Sequence, residues 1–235
     1  MNTEKLSQRL EAVANYIPKD ARLADIGSDH AYLPCYAIKK EMAVFAIAGE
    51  VVEGPYQSAK RQVELEGLTD QIVVRKGNGL EVVEPGEVDC ITIAGMGGTL
   101  IASILEEGKS KLGSVQRLIL QPNISAISIR LWLLDHKWEL ISEEILEEDG
   151  KIYEILVAEA GDPHKSYKEL HKELLLGPLL LKNNSAIFKK KWQLELKNWQ
   201  RILMQLEKAV ESEETTQKRL ELNEKIQMVE EALNQ

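Results

Sequence analysis

Apolar residues in the first two-thirds of the chain come in short runs, separated by segments whose apolar positions follow a helical period. Leu6, Leu10, Val13, Ala14 and Ile17 recur at helical intervals and stop at Pro18, which predicts an opening amphipathic helix acting as a lid or a flank. Strand-like runs follow at Arg22 to Ile26, Val44 to Ala48, Ile72 to Arg75, Val88 to Ala94 and Arg117 to Leu120. Their alternation with helical segments predicts a parallel sheet covered by helices on both faces. Trp138 to Ser142 and Ile152 to Ala158 flank an acidic stretch ending in the turn dipeptide Asp149-Gly150, so they predict an antiparallel hairpin that closes the sheet. The expected fold is α/β, a Rossmann-like sheet of seven strands.

The character changes near Gly161-Asp162-Pro163, after which glycine is nearly absent and helix formers dominate. The predicted domains are therefore 1–161 and 162–235. Trp192, Leu196, Trp199, Leu203, Leu206 and Val210 keep a heptad rhythm, and Leu222, Ile226, Val229 and Leu233 repeat it. A polar break at Glu213 to Thr216 separates the two seams. The expectation is a C-terminal α-helical coiled-coil domain folded as an antiparallel hairpin, which favours a monomer over a coiled-coil homodimer.

Composition adds limits. With 44% apolar and 29% charged residues over 235 positions, the chain is that of an ordinary soluble globular protein. The N-terminal residues lack the apolar centre of a secretory signal, and the run Leu174 to Leu181 is broken by Gly177-Pro178 and too short for a membrane span. Cys35 and Cys90 are isolated, which predicts buried thiols in a reducing cytoplasm and no metal site. The net charge of −9 argues against nucleic acid only on average. Residues 1–161 carry 16 basic and 26 acidic side chains, whereas 162–235 carry 13 and 12.

The chemistry is concentrated where predicted strands end. Leu23-Ala24-Asp25-Ile26-Gly27-Ser28-Asp29 runs from a strand into a turn that opens a helix. A dinucleotide site there needs GxGxxG, but Asp29 holds the second glycine position, where its charge would face a pyrophosphate. S-adenosylmethionine has no phosphate and carries an ammonium and a sulfonium, so Asp25 and Asp29 suit it. Equally, any such turn collects Gly, Ser and Asp as capping residues. Glu50 follows the second strand, placed to accept ribose hydroxyls. Asn78-Gly79 follows the third, where an amide can address an adenine edge. Ala94-Gly95-Met96-Gly97-Gly98 closes the fourth, leaving room for a flat base or a transferring methyl. Gln121-Pro122-Asn123 closes the fifth, either to orient a base by its Watson–Crick edge or, at Asn123, to cap the next helix.

These segments, together with the string Asp25-Ile26-Gly27-Ser28-Asp29-His30-Ala31-Tyr32-Leu33-Pro34, resemble the bacterial tRNA adenine-22 N1-methyltransferase family. The resemblance covers about the first 160 residues by motif, and the helical tail resembles that family's C-terminal domain. It implies a methyltransferase sheet, S-adenosylmethionine as cofactor and tRNA as partner. It also implies that Asp25, Gly27, Ser28, Glu50, Asn78, Gly79, Gly95, Met96 and Gly97 surround the cofactor. Asp29, His30 and Tyr32 are the expected catalytic residues. His30 either exchanges a proton, hydrogen-bonds the base or is structural, and Tyr32 either stacks on adenine or packs. Pro34, Gln121, Pro122 and Asn123 are expected near the base, and Lys189, Lys190 and Lys191 on tRNA phosphates, unless they are a solvated helix face. The rival readings are a methyltransferase of the same fold acting on another RNA or protein, and a non-catalytic coiled-coil adaptor.

Overall fold

The computed structural model describes residues 2–208, 210 and 212–234. The chain divides into two compact units, Met1–Ser166 and Tyr167–Gln235. Gly161-Asp162-Pro163 falls inside the first. Lys165 Nζ reaches Glu139 Oε1 at 2.6 Å and Ser166 Oγ donates to the Leu140 carbonyl at 2.8 Å, so the segment after the last strand stays attached to the sheet.

The first unit opens with α1 (Gln8–Ala14) and then alternates β1 (Ala21–Ile26), α2 (Tyr32–Lys39), β2 (Ala43–Glu50), α3 (Glu53–Leu65), β3 (Ile72–Lys76), β4 (Cys90–Gly97), α4 (Gly98–Glu107), β5 (Arg117–Ile124) and α5 (Ala126–Asp135). It ends in the hairpin β6 (Trp138–Glu148) and β7 (Lys151–Ala160). The sheet has seven strands in the order β3-β2-β1-β4-β5-β7-β6. β1 to β5 pair in parallel, and β7 pairs antiparallel with both β5 and β6. The order reverses between β1 and β4, and their carboxyl ends part there to leave a crevice, which is where such sheets bind ligands. The core is built from the inward runs of the central strands, with Leu23, Ile47, Ile91, Ile93, Leu118, Ile119 and Leu120 at most 1% exposed.

Three expectations are corrected here. β4 continues past Ala94 through Gly95 and Met96 to Gly97 with two register shifts against β5, so Gly95 and Gly97 lie in an irregular strand end and Gly98 opens α4. β5 likewise carries Gln121-Pro122-Asn123 within the strand. The hairpin runs well past Ser142. Its acidic side chains look like loop residues, but they find partners: Arg130 is fully buried against Glu143 at 2.6 Å and Glu154 at 2.7 Å. Glu144 accepts from Tyr16 Oη at 3.1 Å.

The second unit holds α6 (Leu170–Leu176), α7 (Pro178–Asn183), α8 (Ala186–Leu206) and α9 (Glu213–Leu233). α8 and α9 pack against one another, with Phe188 and Trp192 buried on the first and Ile226, Val229 and Ala232 on the second. The break between the seams is displaced from its predicted place. α8 ends at Leu206, so Val210 lies outside the seam at 88% exposure. Glu213 to Thr216 form the first turn of α9, because Ser212 caps it by accepting the Thr215 N–H at 3.2 Å and acidic residues suit a helix N-terminus. Among the described residues, no helix is long and apolar enough to cross a membrane.

Candidate active site

A cleft of about 230 Å³ opens at the carboxyl ends of β1 and β4, lined by Asp25, Gly27, Ser28, Asp29, Tyr32 and Gly95 among others. Its floor is Asp25, the penultimate residue of β1, only 4% exposed. Ser28 Oγ donates to its Oδ2 at 2.6 Å and Thr92 Oγ1, from β4, to its Oδ1 at 2.7 Å. Burial pushes the Asp25 carboxyl up to about 6, and the two hydroxyls only partly offset that.

The turn after β1 is built on left-handed backbone at alternate residues: Gly27 (φ 72°), Asp29 (φ 56°) and Ala31 (φ 54°). Glycine at 27 relieves the left-handed backbone, and a Cβ there would stand 2.1 Å from Met96 Cε, so the end of that flexible side chain would also have to move aside. The Gly27 N–H donates to the Gly49 carbonyl at 2.9 Å, fastening the turn to β2. The Glu50 carboxylate accepts the Asp29 N–H, and burial holds the Glu50 carboxyl above its ordinary range. The Gly77 N–H donates to the Glu50 carbonyl at 2.9 Å, which sets Asn78-Gly79 beside Glu50 at the far side of β2. The acid expected at a ribose and the amide expected at a base edge are thus adjacent, although neither lines the cleft itself.

Asp29 projects outward, its side chain 66% exposed, with the His30 Nε2 3.7 Å from its Oδ1. The His30 and Tyr32 rings stack at 5.2 Å between centroids, 18° from parallel. The three expected catalytic residues therefore form one cluster at the mouth, although His30 does not line the cleft.

The residues expected to meet the base differ in what they can offer. Pro34 is buried in the first turn of α2, where its fixed φ suits a helix start and contact with substrate is closed to it. Gln121 is fully buried, and both ends of its amide are committed. Its oxygen accepts from Arg9 and from the Gly95 N–H, the latter at 2.9 Å, and its Nε2 donates to the Pro122 carbonyl at 2.8 Å. Gln121 thus shapes the irregular end of β4 and has no free edge for a base. Pro122 is buried beside it. Asn123 is exposed and donates to the Gly95 carbonyl at 2.7 Å, and the following helix is preceded by Ser125, so Asn123 is not its cap. Lys189, Lys190 and Lys191 lie on the first turns of α8 in the second unit, with Lys191 Nζ 4.7 Å from the Trp192 ring centroid.

Three contributors escaped the sequence reading. Thr92 is an interior strand residue whose hydroxyl matters only because β4 lies beside β1. Arg9 and Leu10 line the cleft from α1, and no local signal ties a helix before β1 to the end of β4.

The sequence model described as TrmK, tRNA (adenine(22)-N(1))-methyltransferase, matches residues 23–231. The tRNA (adenine(22)-N(1))-methyltransferase of Bacillus subtilis is 55% identical over 236 residues, covering 100% of this chain and 99% of its own. The crystal structure of that TrmK superposes with a TM-score of 0.94 over 98% of this chain and 99% of its own, at 54% identity. A Streptococcus pneumoniae protein solved in complex with S-adenosyl-L-methionine is 47% identical and superposes at 0.87 over 97% of this chain and 100% of its own. Mycoplasma capricolum TrmK, solved with S-adenosyl-homocysteine, is 30% identical and superposes at 0.84 over 97% of this chain and 98% of its own. The motif string, the seven-stranded sheet and these end-to-end matches agree, and this chain belongs to the TrmK family of tRNA (adenine(22)-N(1))-methyltransferases.

Proposed function

We propose that this chain transfers a methyl group from S-adenosylmethionine to N1 of adenine 22 in tRNA. The observation that carries the reading is the 55% identity to the B. subtilis enzyme along the whole chain. The site fits the cofactor on its own terms. The end of β1 and the turn after it present carboxylates at Asp25 and Asp29, where a phosphate would be repelled and an ammonium or sulfonium attracted. Gly27 lines the cleft, and Glu50 and Asn78 sit together for a ribose and a base. Bound there, S-adenosylmethionine supplies an electrophilic methyl group on a sulfonium.

The protein's work is to align and to stabilise. N1 of adenine attacks with its own lone pair and becomes cationic, so no group has to remove a proton first. Asp29, at the mouth of the cleft, sets a carboxylate beside that developing charge. The paired rings of His30 and Tyr32 offer the exposed adenine a flat face. Asp25 receives the cofactor's ammonium, and Gly95 to Gly97 admit the base. Transfer of labelled methyl to unmodified tRNA, mapped to one adenine N1 and lost when position 22 is guanine, tests the reading. Labelling that persists on the guanine-22 transcript contradicts it.

A pH dependence follows from Asp25. A carboxyl raised to about 6 in the free cleft is protonated below that value, whereas a bound ammonium favours the ionised form. Affinity for S-adenosylhomocysteine is therefore expected to be flat above pH 7 and to fall as pH drops through 6, by up to about tenfold per unit. Calorimetry from pH 5 to 8 checks this, and Asp25→Asn should remove the dependence along with most of the affinity.

The second unit holds the RNA. Lys189, Lys190 and Lys191 start a 21-residue helix, and reaching a base inside folded tRNA needs phosphate contacts elsewhere on the molecule. Replacing all three with Glu is expected to weaken tRNA binding at least tenfold at low salt and to flatten its salt dependence, with cofactor affinity intact. Filter binding across a salt series measures it; an unchanged slope rejects the patch. The protein acts as a monomer, since α8 and α9 turn their apolar faces to each other within one chain. It works in the cytoplasm, a compartment that matches its free, buried thiols.

A further inference from the structure

β5 begins in the core and ends on an apolar side chain that faces outward. Leu118, Ile119 and Leu120 are fully buried, whereas Ile124, the last residue of the strand, is 70% exposed. It lies at the carboxyl edge of the sheet, paired with Gly97 at the end of β4. Its neighbour Asn123 donates to the carbonyl of Gly95, which lines the cleft. Single exposed apolar residues are common on any protein surface. What sets Ile124 apart is its place beside the cleft and the firmness with which it is held.

The main chain at Ile124 is constrained on every side. Two residues earlier the ring of Pro122 fixes the backbone, and the Asn123 amide then ties the strand to β4 at 2.7 Å. Directly after it, Ser125 is left-handed at φ 58°, a region that residues other than glycine enter at a cost. The start of α4 packs hard against the same turn: a Cβ on Gly98 would stand 2.1 Å from the Ser125 carbonyl oxygen and 3.0 Å from that of Ile124. The hydroxyls of Thr99 and Ser128 meet at 3.2 Å and join the first turns of α4 and α5. The side chain is itself β-branched and stiff at its first torsion.

We propose that Ile124 is a wedge that enters the base stack of the tRNA and fills the place of the adenine drawn out toward the cleft. The inference rests on the reading of the chain as a tRNA adenine methyltransferase and extends it to how the base is reached. N1 of a paired and stacked adenine is covered, so the base has to leave the stack before it reacts. Proteins that part a stack insert rigid apolar side chains between the bases. Ile124 has that chemistry, and it stands next to the Asn123 anchor on Gly95 and beside Gly97, in the segment proposed to admit the base. A protein partner would need a broad apolar patch. Here the adjoining Asn123 and Ser125 are exposed and polar, which leaves one apolar side chain on a polar rim, the dimensions of a single base step.

Single-turnover methyl transfer to two transcripts, at saturating protein, tests this. One is the unmodified tRNA, and the other carries an abasic residue in place of the nucleotide that pairs with adenine 22, so that the adenine is already loosened. Ile124→Ala is expected to lose about tenfold or more in rate on the first and less than about threefold on the second, with S-adenosylhomocysteine affinity unchanged. Ile124→Met, which keeps the apolar bulk, should restore the rate on the intact tRNA. With 2-aminopurine at position 22, the fluorescence rise that accompanies unstacking by the wild-type protein should shrink in Ile124→Ala. Equal losses on both transcripts would place Ile124 in the transfer step or in the fold and overturn the wedge. A wild-type rate on the intact tRNA, or a loss confined to tRNA affinity, would overturn it as well. Failure of the wild-type protein to methylate either transcript would instead remove the tRNA reading itself, and the wedge with it.

Discussion

Asp29→Asn is expected to lower the single-turnover rate about 10²- to 10³-fold, with S-adenosylhomocysteine affinity within about threefold of wild type. The side chain is two-thirds exposed at the mouth, while the residue's backbone N–H is what Glu50 holds. Removing the charge therefore leaves the turn in place and takes away only the carboxylate proposed to face the reacting base. Asparagine is the informative replacement because it tolerates the left-handed backbone at φ 56°, which alanine adopts at a cost of about 1 kcal/mol. Asp29→Ala should show the same rate loss with a slightly less stable protein. A turnover rate within a factor of three of wild type in the asparagine variant would take Asp29 out of the chemistry.

The largest loss of stability is expected at Arg130→Met. The guanidinium is fully buried and ties α5 to β6 through Glu143 and to β7 through Glu154, whose side chains are 0% and 4% exposed. Methionine fills much of the same volume but leaves two carboxylates without their cation in a dry interior. Breaking a buried pair in this way costs about 3–5 kcal/mol. In a unit of this size that corresponds to a melting temperature lower by about 10 °C. Pairing Arg130→Met with Glu143→Leu and Glu154→Leu should recover most of the loss, because the charges are then removed together. Thermal and urea unfolding followed by circular dichroism measure both, and a loss below about 1 kcal/mol for the single variant contradicts the assignment.

The sequence shows the parallel part of this fold well, because a strand buried on both faces announces itself as an unbroken apolar run. β2 and the first half of β5 are of that kind, and the motifs at the ends of the parallel strands fall on one sheet edge. The hairpin was legible only in part. Glu143, Glu144, Glu147 and Glu148 hide β6, since an acidic run looks like solvent-facing loop until Arg130, Tyr16 and α1 are seen beside it. The site divides the same way. Asp25, Gly27 and Asp29 lie within one five-residue stretch and could be read. The role of Gln121 could not, because its hydrogen bonds run to Arg9 and to the neighbouring strand, 112 and 26 residues away. Arg9 belongs to the same class: its importance lies wholly in what α1 is docked against.

The run of left-handed residues after β1 bears on how a ligand is greeted. A turn that already sits in a sparsely populated backbone region, pinned by Gly49 and Glu50, has surrendered its freedom at the folding step. Docking of an adenosyl ligand then has little chain left to order, so its entropy change should be dominated by water and by the ligand's own rotors, and the loop should look much the same with or without a guest.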